Sequence, residues 1–522
     1  MTVDREDNAV VPRTPVLIGC GQYVGRGDDP ARALSPQDML AHVARAAAED
    51  AGGTADPLAA ADTVAVIRLF ADSAPNYKSP FGGSTNYPRS LANRIGASPR
   101  RLIYPHLGGN TPQYMVNVLA EAIAAGQTDI AVLAGCEVMR TVGRAQKAGI
   151  QLDWQEDIDE APEVIGDGRI GVSAYEMRHG IGEPSGTYPL YENALQAHYH
   201  HASADHRASL GRLFAPFTQV AAANPFAQVP VARSAEEIAT ITEANRIIAW
   251  PYTKFMNANI AVDQAAAVIL TSVEKARALG VAREKWVFLR GCADTTEKWF
   301  MSDRVDYHSA PAIRVGAARA LEAAGVGVGD LSDFDIYSCF PCAVEIACDE
   351  IGLAHDDPRG LTVTGGLPYF GGPGNNYSLH GIAGMMDRLR AKPGGLGLVT
   401  ANGWYLTKQS FGVYATEPGD RPFERTDPAG YQGEIDALPA PPLAEQAEGP
   451  ATIETYSVVF DRSGPRRGIV IGRLDDTGAR FLANTPKDDA AQMRALMADD
   501  TVGRPITVAH HDGMNVATLD GV

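Results

Sequence analysis

The chain has 522 residues, far more than one ordinary domain, so two or three packed units are expected. Its formal net charge is −18, which argues against duplex nucleic acid or an anionic membrane surface as the main partner, because both need an excess of Lys and Arg. The six cysteines are irregularly spaced, no run of eighteen apolar residues occurs and the N-terminus is acidic, so we expect a cytoplasmic protein with free thiols and no membrane insertion.

The first part of the chain alternates between strands and helices. Strands are predicted at 15–28, 62–70 and 129–134, and helices at 35–52 and 112–125. A GGNTP turn leads into the second of these helices, and the strand that follows completes a βαβ unit. A parallel sheet with right-handed crossovers is therefore expected.

The middle of the chain, at about 142–250, interrupts this alternation. It is rich in aromatic residues, His and Pro, and it predicts helices that lie over the sheet as an insertion. His198, His200, His201 and His206 are close in sequence, but no set of Asp, Glu or Cys accompanies them at metal-ligand spacing. We therefore interpret them as helix-surface and capping residues, and no metal is predicted.

The alternation resumes after the insertion. The predicted elements are a strand and helix at 260–281, a strand at 286–293, a helix at 311–331, a strand at 333–340, a helix at 341–353 and two strands within 394–417. The two halves of the chain thus repeat the same order of elements. This repetition indicates an internal duplication.

Residues 361–390, LTVTGGLPYFGGPGNNYSLHGIAGMMDRLR, contain the candidate ligand site. A β-rich segment runs into glycines and then directly into an apolar helix, an arrangement that presents backbone N–H groups and a positive dipole end to an anionic or polarised ligand. Gly371, Gly372, Gly374 and Asn375 are the predicted ligand-binding residues of this loop. The alternative is that the glycines only form tight turns.

The C-terminal part of the chain predicts a linker and a small β-domain. Residues 418–450 carry seven prolines and few large apolar residues, which is typical of an extended linker. Residues 452–513 predict alternating strands with DRSGPRRG and DDTG hairpin turns, which form a small antiparallel barrel of the oligomer-binding (OB) type. The barrel has no excess of aromatic and basic residues, so single-stranded nucleic acid is not expected as its ligand.

Four ordered segments carry a resemblance to the thiolase superfamily. AIAAGQTDIAVLAGCEVM at 122–139 and WPYTKFMNANIAVDQAAAVILTS at 250–272 resemble two conserved segments of its core. DIYSCF at 335–340 resembles the H-D-C-F motif, and GGLPYFGGPG at 365–374 resembles the G-G-x-x-x-x-G-H-P-x-G motif. The chain is most similar to the branch of sterol-carrier-protein-type thiolases and thiolase-like proteins of actinobacteria.

The resemblance implies an α/β fold in which two duplicated βαβαβαββ halves form a layered α/β/α/β/α core, followed by an OB-like β-barrel. The expected domains are an N-terminal half at 12–285 with the insertion at 142–250, a C-terminal half at 286–418, a linker at 419–450 and the barrel at 451–522.

The resemblance also locates the reactive positions of the family. Thiolysis and Claisen condensation need a cysteine nucleophile of low pKa, a histidine that activates it and a second, acid/base cysteine. Asn110 stands in the nucleophile position, Gly372 in that of the activating histidine and Tyr337 in an oxyanion-hole position. His380 follows Gly372 by eight residues, about 12 Å of helical rise, so it cannot occupy the same place. Of the whole reactive set only Cys339 still matches, as the acid/base cysteine.

Cys339 and Cys342 also form a C-F-P-C pair. The pair is compatible with redox chemistry, because it stands where a strand leads into a helix, or with zinc binding, although a second pair of ligands is missing. The simplest interpretation is that Cys342 is a helix residue facing the core.

Three functions remain open. The first is acyl transfer of the thiolase type, as in acetyl-CoA acetyltransferases, with a degenerate catalytic set. The second is a retro-aldol carbon–carbon lyase, because related folds use tyrosine in place of the cysteine and histidine and work with an OB-fold partner. The third is a non-catalytic binder of acyl-CoA or lipid. Across these alternatives the predicted catalytic residues are Cys339, Tyr337, Tyr377 and His380, and Asn110 is added to the ligand-binding residues.

The expected ligand is a coenzyme A thioester of lipid or sterol metabolism, which would bind as a substrate and not as a permanent cofactor. The expected assembly is a monomer or a homodimer. Neither the acyl group nor the direction of reaction follows from the sequence.

Overall fold

The computed structural model describes residues 10–74, 77–519 and 521. The strands in these ranges are β1 Pro15–Val24, β2 Thr63–Val66, β3 Arg101–Ile103, β4 Ile130–Glu137, β5 Ile247–Trp250, β6 Tyr252–Thr253, β7 Gln264–Ser272, β8 Val287–Thr296, β9 Asp333–Asp335, β10 Leu396–Gly403, β11 Lys408–Ala415, β12 Gly449–Phe460, β13 Pro465–Leu474, β14 Arg480–Asn484, β15 Pro505–His511 and β16 Met514–Leu519.

The α-helices of the same ranges are α1 Pro36–Ala51, α2 Tyr87–Ile95, α3 Thr111–Ala124, α4 Met139–Ala148, α5 Ala174–Arg178, α6 Pro184–Thr187, α7 Pro189–His198, α8 Ser203–Ala223, α9 Ala235–Ala239, α10 Val273–Ala278, α11 Pro311–Ala324, α12 Pro341–Ile351, α13 Tyr377–Ala391, α14 Ala429–Asp436 and α15 Ala490–Ala495. None of them combines the length and the apolar character that crossing a membrane requires.

The core contains one sheet whose strand order, within the described residues, is β3-β2-β4-β7-β1-β8-β11-β10-β9. The strands β3, β2 and β4 run parallel, as do β9 and β10. The sheet is nevertheless mixed and not parallel as predicted, because the last strand of each half, β7 or β11, returns antiparallel between two earlier strands. A tight turn joins β10 to β11, where a parallel pair would need a helical crossover.

The two halves of this sheet form two β layers. Helices cover the outer face of each layer, and two further helices lie between the layers. The halves meet where Val16 of β1 is opposite Phe288 of β8. The apolar faces of α3 and α13 pack together between the halves. Helices α1 and α2 cover the outer face of the N-terminal half, and α11 and α12 cover that of the C-terminal half. This arrangement confirms the predicted layered α/β/α/β/α core.

Residues 361–364, which we predicted to be β-rich, do not form a strand. The Asp335 carboxylate Oδ1 accepts hydrogen bonds from the Val363 and Thr364 backbone N–H groups at 3.0 and 3.2 Å and from Thr362 Oγ1 at 2.9 Å. The carboxylate therefore satisfies the N–H groups that a neighbouring strand would have bound. The adjacent strand β9 ends at Asp335 and is shorter than predicted, because the next two backbone N–H groups, of Ile336 and Tyr337, donate to the Leu361 carbonyl and to Thr400 Oγ1.

The C-terminal domain is the predicted small barrel. Its five strands, β13-β14-β16-β15-β12, close on themselves through the pairing of β12 with β13. The barrel is joined to the insertion, because Trp250 and Ala249 of β5 pair with Val458 and Val459 of β12.

The extended character predicted for the linker is wrong for Ala429–Asp436. These residues form α14, with Tyr431 and Ile435 buried. The Tyr431 hydroxyl accepts a hydrogen bond from the Asp294 backbone N–H and donates one to its carbonyl, at 3.1 and 3.0 Å. The helix is fixed to the core by these two side chains and by Gln432, which exchanges two hydrogen bonds with the Thr296 backbone, although the surrounding sequence is rich in proline.

Arg480 of β14 fixes the barrel to the core. Its side chain is completely buried, and its guanidinium donates to the Ser302, Arg304 and Val305 carbonyls of the core. The same group donates to the Glu454 carboxylate at 2.5 and 2.8 Å. A buried guanidinium with all its donors engaged gives this interface a specific geometry.

Candidate functional site

Two helix N-termini from the two halves of the core meet at the predicted site. The loop before α3 and the loop before α13 are tied together because the Gly108 N–H donates to Asn375 Oδ1 and Ser378 Oγ donates to the Gly109 carbonyl, both at 3.1 Å. Asn375 Nδ2 in turn donates to the Arg68 carbonyl at 2.8 Å. The duplicated architecture thus brings together the two glycine-containing turns that the sequence identifies separately.

Tyr337 packs directly against the first of these loops. A Cβ atom on Gly109 would lie 2.3 Å from the Tyr337 hydroxyl and 2.5 Å from the Asn402 carbonyl, so only glycine fits at this position. The predicted nucleophile position, Asn110, is the next residue. The structure therefore places Tyr337 beside the loop residue that precedes Asn110.

The two predicted tyrosines are neighbours. The rings of Tyr337 and Tyr377 meet edge to face with centroids 5.4 Å apart, and the Tyr377 hydroxyl shares a hydrogen bond of 2.6 Å with Thr364 Oγ1. Burial raises the pKa of both phenols well above the usual value. Both phenols therefore remain protonated at neutral pH and are suited to donate a hydrogen bond, not to accept a proton as a base.

Cys339 is enclosed by residues of the insertion and of the β10–β11 turn. Asn402 Nδ2 donates to the Cys339 sulfur at 3.8 Å. The Tyr188 hydroxyl is a second hydrogen-bond partner of this sulfur. The same hydroxyl donates to the Trp404 carbonyl at 2.8 Å. The Tyr188 ring stacks on Phe340 with centroids 4.4 Å apart. Burial raises the pKa of the Cys339 thiol to about 12, so the thiolate is scarce at neutral pH.

Cys342 is completely buried, and its sulfur lies 3.6 Å from the Tyr188 carbonyl. Burial raises the pKa of this thiol as well. These surroundings are those of a core residue and oppose the reactive thiolate that the redox interpretation of the C-F-P-C pair requires.

Tyr337, Tyr377 and Cys339 form the centre of the site. The remaining predicted catalytic residue, His380, points away from this centre. Its Nδ1 shares a hydrogen bond of 2.8 Å with Gln22 Oε1, its ring packs on Phe370, and Nε2 has no partner among the described residues. Burial lowers its pKa to about 3, which keeps the ring neutral. The structure does not bring His380 together with Tyr337.

The glycine loop presents fewer donors than expected. The Gly372 N–H donates to the Asn259 carbonyl and the Gly374 N–H donates to the Gly372 carbonyl, both at 2.8 Å. Gly371 and Gly374 instead allow close packing, because a Cβ atom on them would lie 2.3 Å from Gln264 Oε1 and 2.4 Å from Glu137 Oε1. The expectation that the N–H groups of Gly372 and Gly374 face a ligand is therefore wrong.

The side chains at the start of both helices have unsatisfied polar atoms. Asn110, the residue before α3, donates through Nδ2 to Ser410 Oγ at 3.2 Å, but its Oδ1 has no partner. Asn376, the residue before α13, has no partner for either Oδ1 or Nδ2 within the described ranges, although it is 1% exposed. Buried polar atoms without partners are rare, so both asparagines are candidate ligand-binding residues. The Asn376 amide lies against Gly135 of β4.

The space at the centre is small. The cavity beside Tyr337, lined also by Thr400, Asn402 and Gln409, has a volume of about 10 Å³. The turn that closes it contains Trp404 and Leu406, both with a φ of 56°. This left-handed conformation is unfavourable for residues other than glycine, so the turn beside the cavity holds backbone strain.

A much larger cleft lies on the other side of Asn110. Its volume is about 730 Å³, and it is lined by the α3 N-terminus, the segment 165–169, the adjoining ends of β8 and β11, and the linker before and within α14. The sequence reasoning missed this cleft and its most buried charged residue, Lys408. No local signal could have revealed it, because its walls come from five segments that are distant in the chain.

A buried acid cluster links the insertion to α12. His206 Nε2 lies 2.6 Å from Glu192 Oε1, the Tyr252 hydroxyl donates to Glu192 Oε2 at 2.7 Å, and Glu345 lies close to the same carboxylate. His206 is thus not the surface residue that we predicted. Burial and the neighbouring Glu192 charge raise the pKa of Glu345, whereas Glu192 keeps a lowered pKa, since hydrogen bonds from its neighbours outweigh its burial.

We expect Glu345→Gln to leave the stability unchanged or to increase it at neutral pH. The folded protein holds the Glu345 carboxyl protonated. This carboxyl therefore lowers the free energy of unfolding once the pH exceeds the pKa of a glutamate in the unfolded chain, about 4.3, and the loss grows until the pH reaches the pKa in the folded protein. An amide can replace the protonated carboxyl as donor to Glu192. In contrast, Glu192→Gln should cost roughly 1–3 kcal/mol, because the amide keeps only one acceptor oxygen and leaves one of the two buried donors, His206 or Tyr252, without a partner. Urea unfolding of both variants at pH 5 and 8 provides the measurement, and a loss of stability in Glu345→Gln that grows with pH would contradict this assignment.

Comparison with known proteins relates the whole chain to one group. A family model described as the additional C-terminal domain of thiolase-like protein type 1 matches residues 431–514. The crystal structure of a monomeric SCP2-thiolase-like protein type 1 from Mycobacterium smegmatis is 41% identical, with a TM-score of 0.83, and the match covers 98% of this chain and 100% of that one.

Two other similar structures show the fold alone. An Ltp2–ChsH2(DUF35) aldolase is 16% identical with a TM-score of 0.56, and the match covers 80% of this chain and 100% of that one. An acetyl-CoA acetyltransferase from Syntrophomonas wolfei is 17% identical with a TM-score of 0.55, and the match covers 77% of this chain and 99% of that one. No curated protein matches the chain.

Proposed function

The chain belongs to the SCP2-thiolase-like proteins of type 1, and we propose that it binds acyl thioesters of coenzyme A at the meeting point of α3 and α13 without cleaving them by thiolysis. The observation that carries the proposal is the pair of unsatisfied asparagines before these two helices, Asn110 and Asn376. A thioester carbonyl is a ligand that the free Asn376 amide can bind by donating a hydrogen bond. The positive ends of the two helix dipoles favour the partial negative charge of the same oxygen.

The residues of the centre favour binding over acyl transfer. Acyl transfer through an enzyme thioester needs a nucleophile next to a base. Asn110 cannot form an acyl-enzyme, the Gly372 position has no side chain, and the Cys339 thiol is enclosed and weakly acidic. Tyr337 fills the space beside Gly109, so an acyl group placed there requires displacement of the Tyr337 side chain.

Calorimetric titration with CoA, acetyl-CoA and a longer acyl-CoA tests the proposal. We expect saturable binding of the thioesters, unchanged in Tyr337→Phe and weakened by roughly tenfold in Asn376→Ala, the loss of one hydrogen bond to the carbonyl. Tyr337→Ala enlarges the pocket and should strengthen binding of the longer acyl chain. Unfolding curves of the same variants separate weaker binding from a damaged fold. Equal affinity of Asn376→Ala and the unaltered protein would remove the thioester carbonyl from this position.

A retro-aldol lyase is the second candidate, because the Tyr337 phenol lies at the N-terminus of α3 and the chain carries its own barrel. The raised pKa of Tyr337 keeps its hydroxyl protonated as a hydrogen-bond donor but makes it a weak acid, and cleavage of a β-hydroxyacyl group also needs a base. If turnover of such a thioester is found, Tyr337→Phe should reduce it by at least ~10²-fold while affinity stays the same. A Tyr337→Phe variant with full turnover would exclude the phenol from the chemistry.

We further propose that the protein is a cytoplasmic monomer. Both edge strands of the core sheet, β3 and β9, have only three residues, which limits dimerisation through a sheet edge, and the six cysteines are free and buried. The M. smegmatis relative is described as monomeric. Light scattering during gel filtration should give a single species of 55.4 kDa, and a mass of twice that value would contradict the proposal.

A further inference from the structure

The cleft of about 730 Å³ has the features of a second site beside the closed centre at Tyr337, with which it shares Gln409. Its wall includes Asn110 and Thr111 at the N-terminus of α3, a helix of 14 residues. Asn110 is 7% exposed and its Oδ1 has no partner. A long helix N-terminus at the wall of an open cleft favours a bound polar ligand, and a buried charged side chain lies in the same wall.

Lys408, the first residue of β11, lines the same cleft and is 6% exposed. Its Nζ donates to the Leu107 carbonyl at 2.6 Å and to the Asp167 carbonyl at 3.1 Å. Within the described ranges no carboxylate forms an ion pair with it, because the Asp167 carboxylate is bound by Arg169 at 2.6 Å. The nitrogen is therefore held by two neutral acceptors, and one of its three positions remains for a ligand.

The surroundings of Lys408 favour the free amine. Burial lowers the pKa of Lys408 to about 8, with Asp167 opposing this shift and Arg169 adding to it. At pH 7.4 such an amine is deprotonated in roughly a fifth of the molecules, against about one in a thousand for an ordinary lysine. In the free amine both hydrogens can bond to the two carbonyls, and the lone pair then occupies the remaining position. This is the state of a nucleophilic lysine.

The charges of the cleft restrict the ligand. Arg169 is paired with Asp167, and Arg425 is paired with Asp294 at 2.9 Å. These basic side chains are therefore already neutralised, which disfavours a polyanion such as a nucleotide. A small polar molecule with a carbonyl group is the chemical class that fits a free amine, a helix N-terminus and a neutral hydrogen-bonding wall.

We propose that this cleft binds a small aldehyde or ketone and that the Lys408 amine condenses with its carbonyl group to form an imine. The nitrogen lone pair forms a bond to the carbonyl carbon, and the π electrons move to the oxygen. The two protons of the amine are transferred to that oxygen, which leaves as water when the carbon–nitrogen double bond forms. No oxidant, reductant or cofactor is needed for this step.

Reductive trapping tests the proposal on the complete chain. The protein is incubated with glycolaldehyde and sodium cyanoborohydride at pH 7.4, and the fraction of each lysine that carries the reduced adduct is measured by peptide mass spectrometry. Lys147 and Lys487 are exposed and serve as internal references. We expect initial labelling of Lys408 to be at least ~10-fold faster than that of either reference, because its amine is the more often deprotonated.

Further measurements distinguish a site from a reactive side chain. The labelling rate at Lys408 should rise between pH 6 and 8 and then level off, at a lower pH than an ordinary lysine amine would require. The charged or titratable groups of the cleft that influence this profile are Asp167, Arg169 and His106.

Saturation of the rate with glycolaldehyde concentration indicates binding before reaction. Labelling of Lys408 no faster than Lys147, or a rate that never saturates, would overturn the proposal. In Lys408→Arg the labelling of the reference lysines should not change.

Discussion

Replacement of Arg480 by alanine is expected to destabilise the protein by roughly 3–5 kcal/mol, the cost of breaking a buried, hydrogen-bonded charge pair. The substitution leaves the Ser302, Arg304 and Val305 carbonyls without their donor and removes a guanidinium that also lies 4.8 Å from the Tyr307 ring. Because these contacts join the barrel to the core, the barrel should lose its docking together with part of its own stability. Denaturant unfolding followed by tryptophan fluorescence and by far-UV circular dichroism measures both changes.

Arg473→Ala is the matched control for this prediction. Arg473 donates to the same Glu454 carboxylate at 2.8 and 2.9 Å, but its side chain is 33% exposed and it does not hold the core carbonyls. Its removal should cost no more than about 1 kcal/mol, as for other partly exposed ion pairs. Equal effects of the two substitutions would mean that the charge pair with Glu454 is what matters and that the bonds from the barrel to the core contribute little.

Cleavage of acetoacetyl-CoA by thiolysis should be at least ~10³-fold slower than in a thiolase with a complete Cys–His set. The nucleophile position holds Asn110, and Gly372 offers no base. The one remaining cysteine of the motif, Cys339, has a pKa of about 12, so the thiolate is present in only roughly three molecules in 10⁵ at pH 7.4. The decrease in thioester absorbance with added CoA is the direct measurement.

Cys339→Ala provides the control for the thiolysis experiment. Any residual rate should be the same in this variant, because the enclosed thiol takes no part in it. Fast thiolysis that disappears in Cys339→Ala would show that the nucleophile position has been wrongly assigned and that Cys339 becomes accessible during turnover.

Much of the fold could be predicted because its signals are local. The alternation of strands and helices, the GGNTP and GGPGNN turns and the hairpins of the barrel each depend on residues close together in the chain. The order of these elements in two halves then leaves few arrangements, of which the layered core is one. The predictions that were wrong concern segments whose structure depends on residues distant in the chain. Residues 361–364 have strand-forming composition, yet a single carboxylate, Asp335, takes their N–H groups.

The sequence predicted which residues lie at the candidate site but not which hydrogen bonds those residues form. The motifs place Asn110, Tyr337, Cys339 and the GGPGNN loop at the same end of the core, and hydrogen bonds in the structure link the two helix starts. That Gly372 and Gly374 use their N–H groups internally and that His380 faces Gln22 depends on backbone geometry and on the direction of side chains. Neither is encoded by a spacing in the sequence.

The sequence by itself determined which chemical groups are present: a thiolase-type core without the nucleophile or its base, a five-stranded barrel and free cysteines. Only the tertiary structure decided how reactive those groups are. The Cys339 thiol is enclosed by Tyr188 of the insertion, and Lys408 is held by carbonyls of Leu107 and Asp167, both distant in the chain. The physical reason is that pKa values depend on burial and on neighbouring dipoles, which arise when separate segments pack together.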